Sequence, residues 1–209
     1  RYLLTATGRR DGASVFSANH KFAFFPSLAL GWIVSEEDFM KDADFINFLK
    51  LRVSYGANGN QAIARYQSLS TIQTGYSYLF GGNTAFGIAK TRMGNPDLKW
   101  ESTYSMNYGV DFELLNNRIS GNINYYDSNT KDLLLARNIP TLNGFRSILS
   151  NLGQINNKGM EISVTTTNVK RGDLVWNTGF NFATNKNKIV KLYGERDENG
   201  KELDDISNR

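Results

Sequence analysis

Residues 98–115 read LKWESTYSMNYGVDFELL, and the alternation along them settles the fold class. One parity carries Leu98, Trp100, Ser102, Tyr104, Met106, Tyr108, Val110, Phe112 and Leu114; the other carries Lys99, Glu101, Thr103, Ser105, Asn107, Gly109, Asp111 and Glu113. Successive strand side chains point to opposite faces, so this pattern predicts a β-strand with one apolar and one wet face. Globular strands average about five or six residues, whereas this run is about three times that. A membrane strand needs about 9–11 residues to cross hydrocarbon, and outer-membrane strands commonly extend past it. Length therefore points to a transmembrane β-barrel.

Working outward, Asn116-Asn117 supplies a short turn whose residues tolerate positive φ. In the returning run, 118–133, Ile119, Gly121, Ile123 and Tyr125 alternate with Arg118, Ser120, Asn122, Asn124 and Tyr126, so the two runs are expected to form one antiparallel hairpin. A second hairpin repeats the plan. Met160, Ile162 and Val164 alternate with Glu161, Ser163 and Thr165; the turn falls at residues 170–173; Trp176, Thr178, Phe180 and Phe182 then alternate with Asn177, Gly179, Asn181 and Ala183. In the first half, strands are expected over 2–9, 22–33 and 48–56, with a polar loop over 10–21. Pro26 cannot donate to a ladder, which predicts a bulge or distortion there. Residues 35–44 have the look of a short helix with Ser35 as N-cap and acids in its first turn. Residues 57–96 and 137–151 are rich in Gly, Asn, Ser and Thr and read as long loops, the first extracellular. Short connections after 33, 115 and 169 thus alternate with long ones after 9, 56, 133 and 192, as in outer-membrane barrels, whose periplasmic turns are short and outer loops long.

Composition narrows the function. Mean hydropathy is −0.42, and no run approaches the roughly 18 apolar residues a spanning helix needs. A barrel keeps its average hydropathy low because lipid-facing and lumen-facing residues alternate. The absence of cysteine excludes disulfides and thiolate sites from these residues. Net charge is +4, but acids are interleaved with the bases, so no nucleic-acid partner is expected. The chain opens directly on a strand and closes on a charged run, 194–209, that reads as an unfinished loop, so a fragment of a larger barrel is expected.

Several blocks resemble the SusC/RagA family of TonB-linked outer-membrane proteins. They are LLTATGRRDG (3–12), FPSLALGW (25–32) followed by Ser35-Glu36-Glu37, FLKLRVSYGANGN (48–60) and NPDLKWE (95–101), then residues 109–114, 117–121 and 157–161. The resemblance implies that residues 1–209 are part of the C-terminal barrel, about seven strands of roughly 22, without the plug domain and N-terminal strands. It also implies active import of oligosaccharides or oligopeptides across the outer membrane, with outer-membrane lipid around the barrel, a SusD-like surface lipoprotein as lid, and TonB acting through the N-terminal region. The other function class, a soluble β-sheet protein that binds carbohydrate or serves structurally, fits the strand length and loop asymmetry less well.

No cofactor, metal or enzymatic activity is expected. Glu101, Asp111 and Glu113 share a wet face and invite comparison with glycosidase carboxylate pairs, but lumen-facing acids belong to any hydrated barrel. His20 is the single histidine, which rules out a histidine-rich metal site. The aromatics Tyr66, Tyr76, Tyr78, Phe80 and Phe86 are candidate extracellular contacts for sugar rings or for the lid, although packing of the loop against itself is the commoner role for any one such residue. Trp32 and Trp176 lie near short turns, where a periplasmic aromatic girdle belongs; Trp100 is expected beyond the outer interface.

Overall fold

The structure is a computed structural model that describes residues 1–193. Its strands, in chain order, are β1 (Tyr2–Gly12), β2 (Phe22–Ile33), β3 (Ile46–Asn60), β4 (Thr71–Phe80), β5 (Asn83–Arg92), β6 (Glu101–Leu114), β7 (Ile119–Lys131), β8 (Leu134–Asn138), β9 (Ser147–Asn151), β10 (Gln154–Arg171) and β11 (Leu174–Lys191). Seven form one antiparallel sheet in the order β1-β2-β3-β6-β7-β10-β11, while β4-β5 and β8-β9 are separate two-stranded ribbons. Once the ribbons are set aside, each strand pairs with its predecessor in the chain, the meander of an up-and-down barrel wall. The wall is unclosed, since β1 and β11 have one neighbour each. Its strands run from 11 to 18 residues. At about 3.3 Å per residue and a tilt of about 40°, even the shortest exceeds the roughly 25 Å apolar band of an outer-membrane barrel.

Both expected hairpins are present. β6 pairs with β7 from Ser102↔Lys131 to Leu114↔Ile119, and β10 with β11 from Gln154↔Lys191 to Arg171↔Leu174. The first turn holds Leu115, Asn116 and Asn117 at φ of 55°, 55° and 62°, and the second places Gly172 at 56°. A run of left-handed residues suits asparagine and glycine because their side chains clash least there.

The registers carry each face across the whole wall. One row joins Leu4, Leu30, Val53, Tyr108, Tyr125 and Met160; the next joins Tyr2, Trp32, Leu51, Val110, Ile123, Ile162 and Phe182. These side chains are apolar and none is buried, Tyr108 standing 47% and Tyr125 41% exposed within the wall, so the solvent they suit is hydrocarbon. A shallow depression of about 720 Å³ lined by Leu4, Leu30, Val53 and Tyr108 lies on the same face. One row toward the long loops the apolar band continues through Leu28, Tyr55 and Met106 and gives way only at β7 and β10, where Asp127 pairs with Lys158 at 2.7 Å. The reverse face is wet. Thr103 and Ser105 exchange hydrogen bonds with Thr130 and Ser128 at 2.8 Å, and the Arg52 guanidinium donates to both Asp111 oxygens at 2.7 Å and to Asn124 at 3.0 Å. Arg52 reaches Asn124 across Gly109, where a Cβ would stand 2.8 Å from its Cζ, so a side chain there would displace the guanidinium from this position.

Several expectations are corrected. β6 begins at Glu101 rather than at 98, because Leu98 and Trp100 leave the strand to enter a buried core. β1 extends to Gly12, shortening the loop expected over 10–21. Pro26 causes no bulge, its pairing with Gly8 being in register, but the β2–β3 ladder stops one residue short of it at Ser27↔Gly56, which is the local distortion expected there. The helix expected over 35–44 is two 3-10 turns, Val34–Glu36 and Asp38–Met40, and Ser35 caps neither. Between them Glu37 is extended, its carboxylate drawn to the Trp32 indole (3.0 Å) and to Arg1 (3.2 Å). The Trp32 N–H, as the main cause, holds the Glu37 carboxyl below its ordinary pKa. The connection after β2 spans residues 34–45 and is longer than the one over 13–21, so the expected contrast between short and long connections fails at that pair. Residues 57–96 and 137–151 contain β4–β5 and most of β8–β9 rather than bare loop. The unfinished loop expected over 194–209 lies outside the described residues.

The facing assignment is testable. Arg in place of Tyr108 should disfavour assembly into lipid vesicles by about 2–4 kcal/mol, the cost of Arg on the lipid side of a barrel at mid-bilayer. Arg at Asn107 should leave assembly unchanged. Folded yield, read from heat-modifiable electrophoretic mobility, distinguishes the two.

Candidate functional site

The rim where the ribbons rise is built from the point at which β2 and β3 part. Proline lacks the N–H that would continue the ladder. Beyond Ser27↔Gly56, β3 runs on against β6 alone as far as Asn60↔Glu101. The gap between the strands is filled by a core of Ala13, Phe16, Phe25, Ala57, Leu98 and Trp100, all at least 93% buried. Trp100 packs its ring 5.4 Å from that of Phe16 and edge-on to Phe25 at 5.6 Å. Its indole N–H donates to the Lys21 carbonyl at 3.1 Å, tying β6 to the β1–β2 loop. Gly59 lies against Phe25, and a Cβ there would overlap the ring.

From this core the excursions are fastened by side-chain amides. Asn95 accepts from the Asp97 N–H (3.0 Å) and donates to the Leu149 carbonyl (2.9 Å), joining the segment before β6 to β9. Asn151 accepts from the Lys99 N–H and donates to the Lys99 and Asp132 carbonyls, all within 3.0 Å. Ser17 Oγ donates to the Pro96 carbonyl. Glu101 accepts from Asn60 (3.1 Å) and from the Leu134 N–H (3.2 Å), and Asp111 is committed to Arg52. Two of the three carboxylates considered for glycosidase chemistry are therefore structural clasps. His20 is half-buried in the β1–β2 loop, and no group of three or more metal-ligating side chains occurs among the described residues.

The five aromatic candidates all fall on the exposed part of the rim. Tyr76, Tyr78 and Phe80 share one face of the β4–β5 ribbon, opposite Gly87, Ala85 and Asn83, while Phe86 lies on the other face opposite Ser77. Tyr66 sits apart, in the turn before β4, at φ 63°. Exposures run from 49% at Tyr76 to 78% at Phe86, so each ring keeps about half or more of its surface uncovered, while Tyr78 lies over Gly87 within its own ribbon. Leu79 and Ile88 add to the Phe86 face, leaving the ribbon apolar and uncovered on both sides. The ribbon was missed as structure, although Gly81-Gly82 at φ 58° and 82°, flanked by alternating aromatics, is a two-residue hairpin signal.

Trp32, stacked on Tyr2 at 6.4 Å, and Trp176 stand at the opposite end of the wall near the turns, in the position of an interfacial girdle.

An open wall of long strands with one lipid-suited face, turns at one rim and ribbons at the other, is part of an outer-membrane β-barrel. The family described as TonB dependent receptor-like, beta-barrel matches residues 1–209. Relatives include TonB-dependent receptor P3 of Formosa agariphila, 42% identical over 192 residues (92% of this chain, 19% of the relative), and TonB-dependent receptor SusC of Bacteroides thetaiotaomicron, 39% identical over 201 residues (94% and 20%). Among solved structures, the RagAB peptide importer in its open-open state superposes with a TM-score of 0.83 at 28% identity, covering 93% of this chain and 21% of that one. The chain belongs to the TonB-dependent receptor β-barrel family, whose members are outer-membrane transporters and not enzymes. It spans about a fifth of the length of these relatives.

The core beneath the rim is testable through Trp100→Ala. Loss of a buried tryptophan costs about 3–5 kcal/mol. It should appear as faster amide exchange in residues 13–21 and 61–97, while the wall strands keep their protection.

Proposed function

We propose that the complete protein is a TonB-dependent importer of an oligomeric nutrient, an oligosaccharide or oligopeptide, that works with a SusD-like surface lipoprotein seated on the extracellular rim, including residues 57–96. The observation that carries this is the two-sided apolar ribbon β4–β5, which offers Tyr76, Tyr78 and Phe80 on one face and Leu79, Phe86 and Ile88 on the other. A soluble surface seldom exposes so much contiguous apolar area unless something covers it, and aromatic side chains are the commonest anchors of such contacts. Tyr66, Tyr76, Tyr78, Phe80 and Phe86 are the contact residues we assign to lid or cargo. Likeness to the RagAB peptide importer and to SusC supports coupling to TonB and a surface partner. A large barrel filled by a plug has to be opened by work done from the periplasmic side.

Uptake by intact cells with TonB present and then removed tests the coupling, and loss of uptake without TonB is the expected result. Uptake indifferent to TonB would overturn it. Shortening residues 71–92 in the full-length receptor should cut co-purification of the surface lipoprotein at least tenfold. Undiminished capture would take the ribbon out of the lid interface.

A further inference from the structure

The two excursions on the rim carry bases and no acids. Residues 61–96 hold Arg65, Lys90 and Arg92, residues 133–150 hold Arg137 and Arg146, and neither stretch contains Asp or Glu. Over the whole chain 24 bases are nearly matched by 20 acids, so the excess is local to the rim. The fold then gathers three of these cations. A cleft of about 890 Å³ between the β4–β5 and β8–β9 ribbons is lined by Lys90, Arg92 and Arg146 together with Gln67, Tyr76 and Phe145, and no carboxylate lines it.

Lys90, Arg92 and Arg146 have no ion-pair partner among the described residues. Arg92 makes one hydrogen bond, to the Tyr66 carbonyl at 2.9 Å, which orients the guanidinium without neutralising it. Lys90 and Arg146 are exposed. Cations converging on a concave surface repel one another and raise the local concentration of anions. What sets the cleft apart is that its three cations share one concave surface with no carboxylate among the residues that line it.

We propose that this cleft binds an acidic oligosaccharide, with uronate carboxylates against Lys90, Arg92 and Arg146 and pyranose faces against Tyr76 and Phe145. Guanidinium groups grip carboxylates through paired N–H donors, and flat aromatic rings offer apolar area to the C–H faces of a sugar. An acidic peptide satisfies the cations but offers a ring only where it also carries an aromatic residue or proline, whereas every unit of an oligouronate presents both a carboxylate and a ring face, which is why the saccharide is favoured. The assignment rests on the import function and names its substrate class.

The test is equilibrium binding to the purified full-length receptor, which needs neither TonB nor uptake and so fails or succeeds independently of the transport assay. Short oligogalacturonates and oligomannuronates, neutral malto-oligosaccharides and oligoglutamate are compared by calorimetry at low and high salt. At least one oligouronate should bind, more weakly in high salt, and should lose at least tenfold in affinity in a Lys90→Gln, Arg146→Gln double variant. Arg92 is left in place because it holds the turn at Tyr66. Tyr76→Ala provides a second, uncharged variant and should weaken oligouronate binding severalfold. Equal binding of the neutral sugar, preference for oligoglutamate, no binding of either oligouronate, or affinity unchanged in both variants would each overturn the proposal.

Discussion

Everything in this chain follows from the need to satisfy backbone hydrogen bonds where there is no water. In hydrocarbon each unpaired N–H or C=O costs several kcal/mol, so a spanning sheet must pair every strand on both sides and close on itself. That requirement fixes long strands, in-register neighbours and a side-chain period of two, because one face then meets lipid and the other the lumen. The seven-stranded wall obeys it from β2 to β10, and its two open edges, β1 and β11, are where the same rule demands further strands.

The two faces are stabilised by different means. On the lipid side the rows through Tyr108 and Val110 make few buried contacts within the chain, and their favourable environment is the bilayer itself. On the lumen side polar side chains tie neighbouring strands, most strongly where Arg52 spans β3, β6 and β7 over Gly109. Among the described residues the cluster of buried apolar side chains lies at the rim, around Phe16, Phe25, Leu98 and Trp100. That small core lets an outer-membrane wall carry structured ribbons above it.

The wall was legible in the sequence because period two is simple and sustained, and the hairpin partners of β6 and β10 followed from it. Parity cannot tell a lipid-facing residue from a core residue, however. Leu98 and Trp100 continue the alternation of β6 yet are buried in the rim, so the strand looked longer than it is. The resemblance block NPDLKWE marked the spot without giving the reason, which is the Asn95 turn and the burial of Leu98 and Trp100. The β4–β5 ribbon was hidden by its composition. Glycine, serine and threonine suggested loop, and apolar residues on both faces blurred the alternation that a half-buried strand would show. The cleft between the ribbons was beyond reach, because Lys90 and Arg146 lie far apart in sequence and only the ribbon geometry brings them together.

The central claim is that β6 crosses the bilayer with its even-numbered side chains outward. These residues contain no cysteine, so in a full-length receptor with any cysteine elsewhere replaced by serine, single cysteines placed in turn at positions 104 to 112 can each carry a spin label. Power-saturation measurements in lipid vesicles should give collision rates with dissolved oxygen that rise at 106, 108, 110 and 112 and fall at 105, 107, 109 and 111, with a water-soluble nickel chelate showing the opposite trend. Equal accessibility at both parities, or maxima at the odd positions, would contradict the account.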